Sequence, residues 1–151
     1  MYAKRESKQD LENEASIAKV IGLRFGCNMV KAPITYSFDF FAFRKQKLVS
    51  VIEIKTSTKY TIAGLKNGFS ICALKLVTCL GIAGAFGVPF FVFLKEPTGI
   101  YYLQVTRALL EALDVEFITT SVLVGLSSDG SYEPFDVVYK FKQKLWTKVE
   151  Q

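Results

Sequence analysis

The chain has 151 residues, enough to bury one core and too few for two ordinary domains, so a single domain over residues 1–151 is expected. Half of the residues are apolar and 14% are aromatic, which excludes a disordered chain, and the formal charge of +5 suits a polyanionic partner without requiring one. There is no histidine, and the three cysteines include no Cys-x-x-Cys pair, which disfavours a structural zinc site.

Residues 1–13 are charged and carry no apolar segment behind a basic leader, so secretion is disfavoured. The scattered Cys27, Cys72 and Cys79 suit a reducing, cytoplasmic compartment. Leu11, Glu14, Ala18, Ile21 and Phe25 recur at helical intervals, and Gly26 is a natural stop. Glu14 therefore sits within the apolar stripe, whereas Glu12 aligns with Ser16 and Lys19 on a wetter face. Two readings of Glu14 stand from the pattern alone: an acid held at a functional site, or an acid near the helix entrance, where free backbone amides favour it. Residues 28–31 form a short strand or a connection ahead of Ala32-Pro33.

Residues 38–44 and 48–57 read as an antiparallel hairpin joined across residues 45–47, without an Asn-Gly turn signal. Side chains alternate along a strand, so residues two apart stand roughly 6 to 7 Å apart on one face. Glu53 and Lys55 are then neighbours, with Val49 and Val51 continuing their face and Leu48, Ser50, Ile52 and Ile54 lining the other. Both faces are largely apolar, as in a strand interior to a sheet. Two charges in such a strand mean either a structural ion pair, or an edge lysine that blunts aggregation, or a site. Asp39 on the preceding strand adds a further acid to the set.

Residues 58–67 form a polar loop that carries Lys59, Gly64 and Lys66, either a surface for substrate contacts or a flexible lip, with its lysines reading as solvated loop charges on their own. Residues 69–85 predict a helix, and Lys75 within it and Gly87-Val88-Pro89 after it argue against a membrane span. Cys72 and Cys79 fit buried free thiols there. Lys75 is a lone cation flanked by Leu74 and Leu76, which by itself reads as a stem that covers apolar surface while its amine reaches water. Residues 90–94 and 100–105 are strands separated by Glu96-Pro97-Thr98-Gly99, giving an α/β sandwich. Residues 107–113 suggest a short helix, 117–124 a segment of mixed character, 127–131 a loop and 136–141 a final strand. Were residues 139–144 one strand, Lys140, Lys142 and Lys144 would share a face. With Lys148, Tyr139, Phe141 and Trp146 they form either a phosphate-binding surface or a solvated edge.

The order of an acid on a helix (Glu14), Ser37-Phe38-Asp39, and then Glu53-Ile54-Lys55 on the next strand resembles the PD-(D/E)xK nuclease superfamily. The likeness covers roughly residues 11–105 and is greatest to small resolvase-like or phage-type members, with Ser37-Phe38 standing where the family name has proline. It implies a restriction-endonuclease-like mixed sheet flanked by helices. It also implies that Asp39 and Glu53 hold Mg²⁺, or Mn²⁺, as hard oxygen ligands, with the Ile54 carbonyl and Glu14 as further contributors. Lys55 would orient water or offset charge on the phosphoryl oxygens, and Lys75 would reach the scissile phosphate. The implied partner is DNA, with Lys59, Lys66 and Lys75 on its backbone.

The leading expectation is therefore a Mg²⁺-dependent DNA endonuclease, with branched or junction DNA as a candidate substrate and a homodimer where paired strands are cut. No G-x-x-x-x-G-K-[ST] loop is present, so no nucleotide cofactor is expected. The alternative is a non-catalytic DNA-binding or assembly protein with a nuclease-like fold. A protein-interaction domain with an aromatic partner surface is a third possibility, and a small-molecule enzyme the least supported.

Overall fold

The computed structural model describes residues 7–119 and 135–150. Helix α1, Lys8–Phe25, starts at a capping box in which the Ser7 hydroxyl accepts from the Asp10 amide and the Asp10 carboxylate accepts from the Ser7 amide. It ends at Gly26, whose φ of 65° is the left-handed cap conformation. The helix buries Glu14, Ile17, Ala18 and Ile21, while Leu11, one turn earlier, stays exposed.

Strands β1 (Asn28–Lys31), β2 (Phe40–Arg44) and β3 (Lys47–Thr56) follow as an antiparallel meander. Asp39 lies just before β2 rather than within a strand, yet its amide donates to the Ile52 carbonyl and its carbonyl accepts from the Ala32 amide, so it is held at the sheet's end. The turn between β2 and β3 is shorter than the sequence suggests. Lys45 and Gln46 alone form it, both at positive φ (50° and 64°), which matches the twist of a two-residue hairpin despite the absence of glycine.

The register across this hairpin slips between Ala42 and Phe43: Phe43 faces Leu48 while Ala42 faces Ser50, leaving Val49 as the extra residue of a bulge. Val49 accordingly packs on the α1 side of the sheet with Ile52, and not on the face of Val51 as simple alternation predicts. Beyond the bulge the alternation holds, with Ile52 and Ile54 toward α1 and Val51 toward the opposite core.

The predicted helix 69–85 divides in two. Phe69–Cys72 is strand β4, and the helix, α2, is Ala73–Phe86. β4 has an antiparallel partner far along the chain, with Phe69 opposite Phe141, and that pairing outweighs the local apolar pattern. Gly68 makes the junction possible: a Cβ at its position would stand 2.6 to 2.8 Å from backbone atoms of Phe141 and Lys142.

The remaining elements are β5 (Phe90–Glu96), β6 (Gly99–Val105), α3 (Arg107–Ala112), β7 (Val115–Thr119), β8 (Phe135–Phe141), a 3₁₀ turn at Gln143–Leu145 and β9 (Thr147–Lys148). The strand predicted at 136–141 is thus β8, and a short β9 follows it. Of the segment predicted at 117–124 only the start lies in β7; the rest, with the loop expected at 127–131, is outside the described residues. Because β8 ends at Phe141, Lys140, Lys142 and Lys144 do not continue one strand face, and Lys144 belongs to the 3₁₀ turn.

These strands make a six-stranded sheet ordered β1-β2-β3-β5-β6-β9 and a three-stranded sheet ordered β4-β8-β7. Among the described strands β3 and β5 pair in parallel, and α2 lies on the crossover that such a pairing requires. On one face of the larger sheet α1 packs Ile17, Ala18 and Ile21 against Phe40, Ile52, Ile54 and Phe93. On the other, Leu76, Cys79 and Ala83 of α2, together with Ile71 and Phe141 of the smaller sheet, close over Val51, Phe90, Val92 and Leu94. This is a mixed α/β fold with a sheet flanked by helices, and β3 runs through its middle. Among the described residues no helix is long and apolar enough to cross a membrane.

Candidate active site

The C-terminal half of β3 places Glu53 and Lys55 on the side that faces α2, while Asp39 approaches the same strand from the start of β2. The Asp39 carboxylate accepts a hydrogen bond from the Ile54 amide through Oδ2 at 2.8 Å. That bond fixes the acid against the backbone between the two charged residues of β3. Asp39 and Glu53 are each 1% exposed, burial that an ionised carboxylate tolerates only with compensating partners.

Glu53 finds those partners in two lysines. Lys75 Nζ, reaching across from the first turn of α2, lies 2.7 Å from its Oε1, and Lys55 Nζ lies 3.3 Å from the same oxygen. The other oxygen, Oε2, is buried with no hydrogen-bond partner. Burial pushes the Glu53 carboxyl above its ordinary range; the nearby Asp39 charge pushes the same way, and the ammonium groups of Lys55 and Lys75 oppose it. Cys79, one turn beyond Lys75 on α2, is fully buried, and its thiol is pushed up to about 12, first by desolvation and then by the Glu53 charge. It is an inert thiol packed under the site.

Glu14 enters from α1, and it does so through a residue the sequence reading did not single out. Lys31, the last residue of β1, lies 2.7 Å from Glu14 Oε2 and 3.7 Å from Asp39 Oδ1, with its ammonium 5.2 Å from the centre of the Phe40 ring. The pairing register that sets Lys31 opposite Phe40 brings this lysine to the end of the sheet beside Asp39. No local signal in a four-residue strand announces it.

Lys31 thus joins Glu14 to Asp39, Lys55 and Lys75 converge on Glu53, and the two groups meet in one network at β3, where Asp39 holds the Ile54 amide and its charge acts on Glu53. Lys59 and Lys66 are exposed on the loop 57–68, and among the described contacts neither joins that network. The loop itself is anchored by another acid, Glu96, expected in a turn and found 3% exposed at the end of β5. Its Oε2 accepts from the Ile62 amide at 3.2 Å and its Oε1 from the Thr98 amide at 2.8 Å and from the Thr98 hydroxyl. The C-terminal Lys140 is drawn to Glu116 at 3.9 Å.

Among the described residues no set of three or more histidine, cysteine, aspartate or glutamate side chains converges as a metal cage. The donor chemistry still fits a hard divalent ion, since such an ion is commonly held by one or two carboxylates with water and substrate oxygens completing its shell. The unpartnered Oε2 of Glu53, buried near Asp39, is the kind of oxygen such an ion satisfies.

A mixed sheet flanked by helices, with an acid at the start of one strand and Glu-x-Lys on its neighbour, defines a restriction-endonuclease-like protein. Residues 1–117 match the family described as "Phage putative PDDEXK endonuclease", and the chain belongs to that family. Among solved structures, the Holliday junction resolvase Hjc of the archaeal hyperthermophile Archaeoglobus fulgidus matches with a TM-score of 0.57 at 12% identity, covering 94% of this chain and 93% of that one. At that identity the likeness is one of fold. No curated protein matches the chain.

Proposed function

We propose that this chain is a Mg²⁺-dependent DNA endonuclease whose site is the network of Glu14, Asp39, Glu53, Lys55 and Lys75. The observation that carries the reading is Glu53. It is a carboxylate 1% exposed, with one oxygen bare of hydrogen bonds, set between Asp39 and two lysines at the end of an interior strand. A buried carboxyl raised by desolvation and set among specific charge partners is a common mark of a site kept for chemistry.

Asp39, Glu53 and the Ile54 carbonyl are the residues that would hold the ion, with Glu14 contributing through water. When bound, Mg²⁺ or Mn²⁺ polarises the phosphodiester and eases the ionisation of an attacking water. Lys55 supplies positive charge to the phosphoryl oxygens as negative charge develops on them. Lys75 orients the Glu53 carboxylate through its 2.7 Å contact, its charge opposing the rise that burial causes, and presents the rest of its charge to the same phosphate. Lys59 and Lys66 extend from the anchored loop as backbone phosphate contacts, which add affinity without sequence preference. The whole chain acts as one nuclease domain in a cytoplasmic setting, without a nucleotide cofactor, and as a homodimer where both strands of a duplex are cut.

Branched DNA is the favoured substrate, because the fold is shared across nearly the full length of a protein that is a Holliday junction resolvase. The test is cleavage of a panel of linear, single-stranded, flap and four-way DNA with Mg²⁺ or Mn²⁺. Preferential cleavage of four-way or flap DNA that Asp39→Asn removes supports the reading. Binding of these DNAs without cleavage of any would move the protein to a DNA-binding or assembly role on the same fold.

A further inference from the structure

Among the described residues three ammonium groups face three carboxylates at the site: Lys31 on Glu14 and Asp39, and Lys55 and Lys75 on Glu53. Their formal charges cancel. A site that attracts a divalent cation needs an excess of negative charge, so at least one of these lysines must give way when the ion enters. The three are not equally free to do so. Lys75 and Lys55 have side chains 21% and 31% exposed and stand on α2 and on interior β3, whereas Lys31 is 39% exposed and ends β1, an edge strand of the sheet.

Resting on the proposed metal site, we infer that Lys31 is a built-in counter-ion that occupies a cation position between Glu14 and Asp39 and competes with the divalent metal for them. It is a positioning residue. With no metal it holds two acids from different elements, α1 and the start of β2, near one another and limits their mutual repulsion. On metal entry its ammonium swings outward along the edge of the sheet.

The experiment measures Mn²⁺ binding by calorimetric titration and by paramagnetic resonance of the free ion for the wild type, Lys31→Met, Lys31→Arg and Asp39→Asn. Lys31→Met keeps the stem and removes the charge, so it is expected to bind Mn²⁺ about tenfold more tightly, on the scale by which changes just outside a metal shell move affinity. Lys31→Arg is expected to bind as the wild type does. Equal or weaker binding by Lys31→Met, with binding abolished in Asp39→Asn, overturns the role of Lys31 and leaves the metal site standing. Absence of Mn²⁺ binding in both the wild type and Lys31→Met overturns the metal site and this inference with it. A second measurement needs no variant. In the wild type, acetylation of Lys31 read by mass spectrometry against Lys19 should accelerate when Mg²⁺ is added, and an unchanged or slower rate counts against the displacement.

Discussion

Replacing Glu53 by glutamine should stabilise the metal-free protein, and the gain should grow with pH. Glu53 is 1% exposed, its carboxyl is raised chiefly by burial, and its Oε2 has no hydrogen-bond partner. An ionised carboxylate costs more to bury than a neutral amide of the same shape. Glutamine removes that charge but leaves one amide atom at the position of Oε2 and turns the other toward Lys55 and Lys75, so the net gain is small, about 1 kcal/mol. For a chain of this size that corresponds to a rise in Tm of roughly 2–4 °C.

The sign of the pH dependence follows from the raised carboxyl. As pH rises from the ordinary value of 4.5, the unfolded chain releases the Glu53 proton before the folded chain does. The wild type therefore loses stability as pH climbs through the folded-state value, and the variant does not. Thermal melts without divalent metal at about pH 4.5, 6 and 8 should show a difference that is small at the acid end and widens toward alkaline pH. A variant that melts below the wild type at the alkaline end, or by the same margin at every pH, would refute the claim that burial dominates over the two lysines.

Glu96→Ala removes the acceptor of the Ile62 and Thr98 amides and should cost about 1.5–3 kcal/mol, read as a lower denaturation midpoint at unchanged slope. Because Glu96 also tethers the loop 57–68, that variant should speed amide exchange at Ile62 while leaving β2 and β3 protected. Lys45→Asn with Gln46→Gly relieves two non-glycine residues at positive φ in the hairpin turn and should stabilise the fold by about 1 kcal/mol, checked by chemical denaturation. Cys79, fully buried with its thiol pushed up to about 12, should resist alkylation at neutral pH in the folded state and label only on unfolding, whereas labelling at the rate of a free thiol would contradict the packing of α2 over β3.

Much of the candidate site's geometry was legible because it is written in local patterns. The strand period put Glu53 beside Lys55, the helical stripe set Glu14 inward, and a lone cation among apolar neighbours marked Lys75. What was not legible depends on pairing between distant segments. The bulge at Val49 changes the face of one residue and has no compositional mark, since valine suits either side. Phe69–Cys72 reads as the start of a helix until β8 arrives to pair with it, and the pairing cannot be inferred from four apolar residues. Lys31 is brought to the acids only by the register of β1 on β2, and Glu96 is recognisable as an anchor only once the Ile62 amide lies against it. Tertiary register decides such positions, and sequence periodicity alone does not carry it.

The most direct test of the account is nicking of supercoiled and four-way junction DNA under single-turnover conditions, with and without Mg²⁺, by the wild type, Asp39→Asn and Lys55→Ala. Cleavage by the wild type should require the metal and be lost in both variants, while their folds, read by circular dichroism, stay intact. Cleavage that persists in Asp39→Asn or Lys55→Ala, or a wild type that cuts equally well without divalent metal, would contradict it.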